Sequence, residues 1–206
     1  MRKKRESDPV VLFSRNFILV SLVFIFALVF MGGVFLGCQE KSVSTKDDIK
    51  TEDSMAFESK DDNALVVLGW SYRSQGKTFL AEKAFRKAID INSNNDRAYL
   101  GLGWIYRDKD ESLLAEGAFN KAITLNPKND KAYNGLGWVY RDMKKSSLSL
   151  TQFEKAASIN PKNEWSYVGM GLCYRDKGDK GKFKEYFNKT LEINPKNSYV
   201  LKELRK

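Results

Sequence analysis

The sequence predicts an all-α fold. It is an α-solenoid of four helix-turn-helix repeats, with a C-terminal capping helix and one N-terminal transmembrane or signal helix ahead of them. Three observations predict this. The block Gly-Trp-x-Tyr-Arg returns at a fixed step of 34 residues, starting at Gly69, Gly103 and Gly137, and a fourth copy starting at Gly171 has Leu172 in place of the Trp. Each 34-residue unit contains two apolar runs with helical spacing. Ahead of them, the 20 residues from Phe17 to Leu36 carry no charge. A strict period of this length means one supersecondary unit stacked on copies of itself, an architecture that presents a long binding surface.

The N-terminal elements follow from charge and hydropathy. Residues 1–16 hold five basic and two acidic side chains, and no charged residue lies between Arg15 and Glu40. As a helix, Phe17–Leu36 would rise about 30 Å, the thickness of a hydrocarbon core. It shows no polar stripe, as a helix on the surface of a soluble domain would. Basic flanks stay in the cytoplasm, so 1–16 is expected to be a cytoplasmic tail, 17–37 the membrane segment, and the rest extracytoplasmic. An apolar core longer than that of secretory signals favours an uncleaved anchor. A second reading stays open. Val34-Phe35-Leu36-Gly37-Cys38 resembles the lipobox of bacterial lipoproteins, although Phe35 and Leu36 depart from the usual pattern; the resemblance implies cleavage before Cys38 and lipid on its sulfur. Residues 38–61 carry four basic and seven acidic side chains and few large apolar ones. Such a segment cannot bury enough surface to offset its ordering entropy, and is expected to be a flexible linker.

The repeats span 62–95, 96–129, 130–163 and 164–197. In the first, Leu65, Leu68, Gly69 and Tyr72 share one helical face, and Ala81, Ala84, Phe85, Ala88 and Ile89 share another, with Gly76 and Lys77 at the turn. The later units end in a common stop, Asn126-Pro127-Lys128-Asn129 and its copies at 160–163 and 194–197. Pro ends one helix, and the second Asn is placed to cap the next. The acids that follow, Asp96, Asp130 and Glu164, complement the helix dipole. Gly at the eighth repeat position is expected to face Ala or Ser of the second helix. Phe183 stands in that small residue's place and Thr190 in that of an Ala, so the fourth unit is expected to be the loosest. Ser93 replaces the first Pro, which predicts a softer junction there. Residues 198–206 are expected to form the capping helix, with Tyr199, Leu201 and Leu204 over the open end.

The residues in these columns resemble the tetratricopeptide repeat family, whose period is also 34. The Leu-Gly pairs at 68–69, 102–103 and 136–137, the Tyr residues 72, 106, 140 and 174, and the Phe residues 85, 119, 153 and 187 meet its pattern. The resemblance implies a scaffold for protein–protein interaction whose first helices line a concave groove. Two columns on those helices are nearly constant: Trp70, Trp104 and Trp138, and Arg73, Arg107, Arg141 and Arg175. Trp and Arg at i, i+3 share a face, forming an aromatic and cationic ladder. One reading has this ladder wedge the helices together through cation–π contacts. The other makes it the ligand groove, suited to a protein or peptide with acidic or aromatic residues at regular spacing.

Composition limits the remaining classes. The chain has no His, which excludes a His-based general base or a Ser-His-Asp triad. Its two cysteines, Cys38 and Cys173, offer no metal-ligand spacing. Neither a metal nor another cofactor is expected, and the chain is read as non-catalytic. Residues 62–206 carry 26 basic and 17 acidic side chains, which favours acidic partners or an anionic surface. Nucleic acid is not the expected partner, because the repeats are expected outside the cytoplasm and hold no concentrated basic run. Glycan or cell-wall binding is the alternative, since rows of exposed Trp can stack on sugar faces.

Overall fold

The computed structural model describes residues 57–205; the expected membrane segment at 17–37 and Cys38 lie outside them. Among the described residues there are nine helices and no strand. They are α1 (Asp62–Ser74), α2 (Thr78–Ile91), α3 (Asp96–Asp108), α4 (Ser112–Leu125), α5 (Asp130–Asp142), α6 (Ser146–Ile159), α7 (Glu164–Asp176), α8 (Lys180–Ile193) and α9 (Ser198–Glu203). None of the described helices is long and apolar enough to cross a membrane.

Local chemistry sets the helix boundaries. Asp61 caps α1, its Oδ1 accepting from the Asn63 and Ala64 amides at 2.9 and 3.3 Å. Asn95, Asn129 and Asn197 cap their helices through Ala98, Ala132 and Val200, each at 3.0 Å, whereas Asn163 makes no such bond. Each repeat turns its internal corner through one left-handed residue: Gly76 (φ 73°), Asp110 (61°), Lys144 (59°) and Gly178 (79°).

Four fully buried rings, Phe85, Phe119, Phe153 and Phe187, form the centres of the repeats. Each of the first three is gripped by two glycines. A Cβ on Gly69 of the same repeat would lie 2.6 Å from the Phe85 ring, and one on Gly101 of the next repeat 2.3 Å from it. Gly103 and Gly135 enclose Phe119 in the same way, and Gly137 and Gly169 enclose Phe153. This corrects the expectation that the glycines chiefly face Ala or Ser. The absent side chain makes room for an aromatic ring, and Ser149 reaches Gly137 only by donating to its carbonyl at 2.8 Å. In the first repeat Val67 takes the place of the second glycine and is 61% exposed.

A clasp closes each of the first three repeats. Asp62 Oδ2 accepts from Asn92 and Asn95 side chains, both at 2.7 Å. Asp96 accepts from Asn126 and Asn129, and Asp130 from Asn160 and Asn163, at 2.9 Å throughout. The junction lacking Pro is thus closed as the others are. In the fourth repeat Glu164 replaces the Asp, and its Oε2 is buried without a hydrogen-bond partner. There Phe183 packs against Phe187 with centroids 4.4 Å apart, and buried Thr190 donates to the Tyr186 carbonyl at 3.0 Å. At the far end α9 buries Val200 against Val168, Leu172 and Phe187. Phe57, assigned to the linker by sequence, is buried on the first repeat, its ring 6.0 Å from that of Tyr72 and its carbonyl accepting from Lys87 Nζ.

Candidate protein-interaction groove

The first helices of the repeats place four side chains each on a common stripe, spaced i, i+3, i+7 and i+10. On α3 these are Arg97, Leu100, Trp104 and Arg107; on α5, Lys131, Asn134, Trp138 and Arg141; on α7, Trp165, Val168, Leu172 and Arg175. The stripes line two adjoining depressions. One, of about 630 Å³, holds Trp70, Arg97, Leu100 and Trp104. The other, of about 780 Å³, holds Trp138, Arg141, Trp165, Leu172 and Tyr199. Trp104, Asp130 and Lys131 border both, so the two form one groove.

The ladder expected from sequence forms the floor. Each of the three Trp indoles meets its own repeat's Phe edge-on, at centroid distances of 5.3, 5.5 and 5.2 Å. The Arg73 guanidinium lies between two indoles, 5.7 Å from Trp70 and 5.4 Å from Trp104. Arg107 lies likewise between Trp104 and Trp138, at 5.6 and 5.7 Å. Each arginine also reaches an acid one repeat on. Arg73 Nε donates to Asp108 at 2.7 Å, Arg107 Nε to Asp142 at 2.7 Å, and Arg141 Nη2 to Asp176 at 2.9 Å. Arg175, next to the cap, donates to Glu203 at 2.8 Å. The three Trp and four Arg residues are therefore brought together, with the arginine charges matched by carboxylates. Such exposed pairs contribute about 0–1 kcal/mol each, and each cation–π contact about 0.5–1.

The ladder breaks at Leu172. No indole stands on the far side of Arg141, and its Nε is buried without a hydrogen-bond partner. Trp138 Nε1 instead donates to Asn134 Oδ1 at 2.9 Å, and Asn134 Nδ2 donates to Ser166 Oγ at 3.1 Å.

A further set of groove residues escaped the sequence reading. The column at the second repeat position runs Asn63, Arg97, Lys131, Trp165 and Tyr199, and all five are exposed. Arg97 and Lys131 have no ion pair among the described residues, and the same is true of Lys128 and Lys162 at the groove edge. Trp165 and Tyr199 are 47% and 38% exposed, with ring centroids 6.5 Å apart. The signal was present as variation: this column changes at every repeat beside columns that hardly change. Cys173, by contrast, is buried 3.2 Å from Ser149 Oγ, and burial pushes its thiol pKa up, so it is a packing residue. Among the described residues no group of His, Cys, Asp and Glu could hold a metal.

Models of the tetratricopeptide repeat match residues 62–95, 96–129 and 166–197, and a second such model matches 118–150. No curated protein matches the chain. Among solved structures, a crystal structure of MamA is 28% identical and covers 76% of this chain and 97% of its own, with a TM-score of 0.60. MamA from Desulfovibrio magneticus RS-1 is 21% identical over 68% of this chain and 79% of its own, at a TM-score of 0.58. PilF of Pseudomonas aeruginosa is 23% identical over 72% of this chain and 66% of its own, at a TM-score of 0.64. The last two likenesses concern the fold alone.

Proposed function

The chain belongs to the tetratricopeptide repeat family, and on that premise we propose that its repeats hold an extended segment of a partner protein in the groove of the first helices. Scaffolds of this family serve protein–protein interaction. The observation that carries the reading is the division of the groove. Its floor is a self-neutralised ladder, and above it stand exposed Arg97, Lys131, Trp165 and Tyr199 with no bond holding them. Half-exposed aromatic rings and Arg are enriched where partners bind, and cations without an internal partner are available to a partner's carboxylates. The partner is an acidic and aromatic segment, and no chemical step is assigned to the chain.

The 20 uncharged residues from Phe17 to Leu36, the basic residues before them and Cys38 after them support a tether. In this reading the chain is held in a membrane through 17–37, or through lipid on Cys38, with its repeats on the extracytoplasmic side.

Two experiments test the proposal. Peptides selected from a random extended library on the full-length chain should cross-link to a photoreactive residue at Lys162, in the groove, and not to one at Phe79 on α2. Selection of no peptide, or cross-linking at Phe79 alone, defeats the groove reading. The intact mass of membrane-extracted protein should show either residues 1–37 retained or lipid on Cys38; an unlipidated soluble species beginning after residue 37 defeats the tether. Glycan binding is the second reading, favoured by the Trp165–Tyr199 pair. Cell-wall fragments that compete with the selected peptides would favour it.

A further inference from the structure

We infer that the groove reads its partner through the non-repeating column Arg97, Lys131, Trp165 and Tyr199. It therefore fits a polarised segment, acidic over the second and third repeats and aromatic over the fourth repeat and cap. This rests on the reading of the groove as a protein-binding surface.

The ladder beneath is nearly the same in every repeat, so it cannot tell one register of a bound chain from another. Its arginine charges are also engaged by Asp108, Asp142, Asp176 and Glu203. The column above differs in both respects. Arg97 and Lys131 stand two turns before Trp104 and Trp138 on the same helical faces, exposed and without an ion pair among the described residues. The carboxylates that precede them in the sequence, Asp96 and Asp130, each already accept two amide hydrogen bonds. One repeat further on the chemistry changes. Trp165 and Tyr199 replace the cations, and Leu172 replaces the ladder's indole below them. This is the larger depression, about 780 Å³. Glu164, with an unpartnered Oε2, and Lys162, without an ion pair among the described residues, both border it, so charge does not select there and the exposed rings of Trp165 and Tyr199 do. The groove is thus cationic at one end and aromatic at the other.

Spacing completes the description. Neighbouring first helices lie on the order of 10 Å apart, and an extended chain advances about 3.3 Å per residue. An acid over Lys131 is then about three residues from an aromatic over Trp165, and an acid over Arg97 about six. The matching probe is a fluorescein-labelled heptapeptide with Glu at its first and fourth positions, Phe at its seventh and Ser elsewhere. Because either chain direction can lie in the groove, it is made in forward and reversed order. A permuted control has both Glu and the Phe adjacent.

Binding to the full-length chain in detergent micelles is read by fluorescence anisotropy. One of the two ordered peptides is expected to bind at least ten-fold tighter than the permuted control. Lys131→Glu should weaken it at least ten-fold, and Lys in place of the peptide's fourth-position Glu should restore binding to that variant. Trp165→Ala should weaken the Phe peptide about ten-fold and leave a peptide with Ser for Phe unchanged. Both residues are exposed, so unaltered circular dichroism accompanies these effects. Equal binding of the permuted control, or failure of the charge swap to restore affinity, overturns the polarity. If library-selected peptides still cross-link at Lys162, only the polarity falls; if they do not, the groove reading falls with it.

Discussion

Asp110 and Lys144 adopt the same left-handed corner that Gly76 and Gly178 adopt in the outer repeats. A residue with a Cβ there bears about 1–2 kcal/mol of backbone strain. Lys144 is exposed, so replacing it removes no packing. Lys144→Gly relieves that strain but adds unfolded-chain freedom worth about 0.4–1 kcal/mol. The net expectation is stabilisation of about 0.5–1 kcal/mol, read as a higher urea midpoint at unchanged slope; a lower midpoint would show that the corner is not strained. Single residues were otherwise well announced by their columns. Gly69 and Phe85 are buried with their copies, as periodicity required, whereas Tyr72 is buried and its copies Tyr106, Tyr140 and Tyr174 are only half-buried. What the glycines face was not legible. That a ring fills the space between Gly69 and Gly101 depends on how two repeats approach, and sequence spacing reports only a shared helical face. The pairing of Arg73 with Asp108 was hidden for the same reason: the partners are 35 residues apart.

At the scale of the element, the clasps explain why Asn recurs on both sides of the Pro. One Asn ends the second helix, the other begins the next first helix, and both donate to the Asp that opened their own repeat. The acid was legible only as a complement to the helix dipole, because bonds at separations of 30 and 33 residues need the closed repeat to exist. The fourth repeat tests this account. Glu164 is one methylene longer, and its Oε2 is buried with nothing to accept from. Glu164→Asp should let the carboxylate take the position that Asp130 occupies and accept from Asn194 and Asn197. Hydrogen bonds to a charged group contribute about 1.5–3 kcal/mol, and an unmade one costs about 1–3. Allowing for partial exposure and screening, stabilisation of about 1–2 kcal/mol is expected. Thermal unfolding measures it, and a melting temperature no higher than wild type would mean that the clasp adds nothing to closure.

Across the whole array, each shared Phe ring couples a repeat to its successor, so stability is the sum of repeat terms and nearest-neighbour interfaces. Those terms are unequal. The first three repeats have the Trp–Phe edge contacts and the Asp clasps, while the fourth has Leu172 and Glu164 in their places, and Phe183 where the others have Ala or Ser. What covers it is α9, six residues long, with Val200 fully buried. Opening should therefore begin at the C-terminal end. Val200→Ala removes two buried methyl-sized groups, about 1.5–2 kcal/mol at roughly 0.8 each. Hydrogen exchange should show the loss in amides of 164–203 and leave 96–129 protected as before, because neighbour coupling weakens with each interface crossed. An equal loss of protection in all four repeats would instead mean that the array opens as one unit. The same gradient bears on binding. Trp165 sits on the repeat that opens first and Tyr199 on the helix that caps it, so a ligand held there at free concentration L stabilises that end by RT ln(1 + L/Kd). Addition of the ordered heptapeptide to Val200→Ala should restore protection to 164–203 selectively, and the permuted control should not.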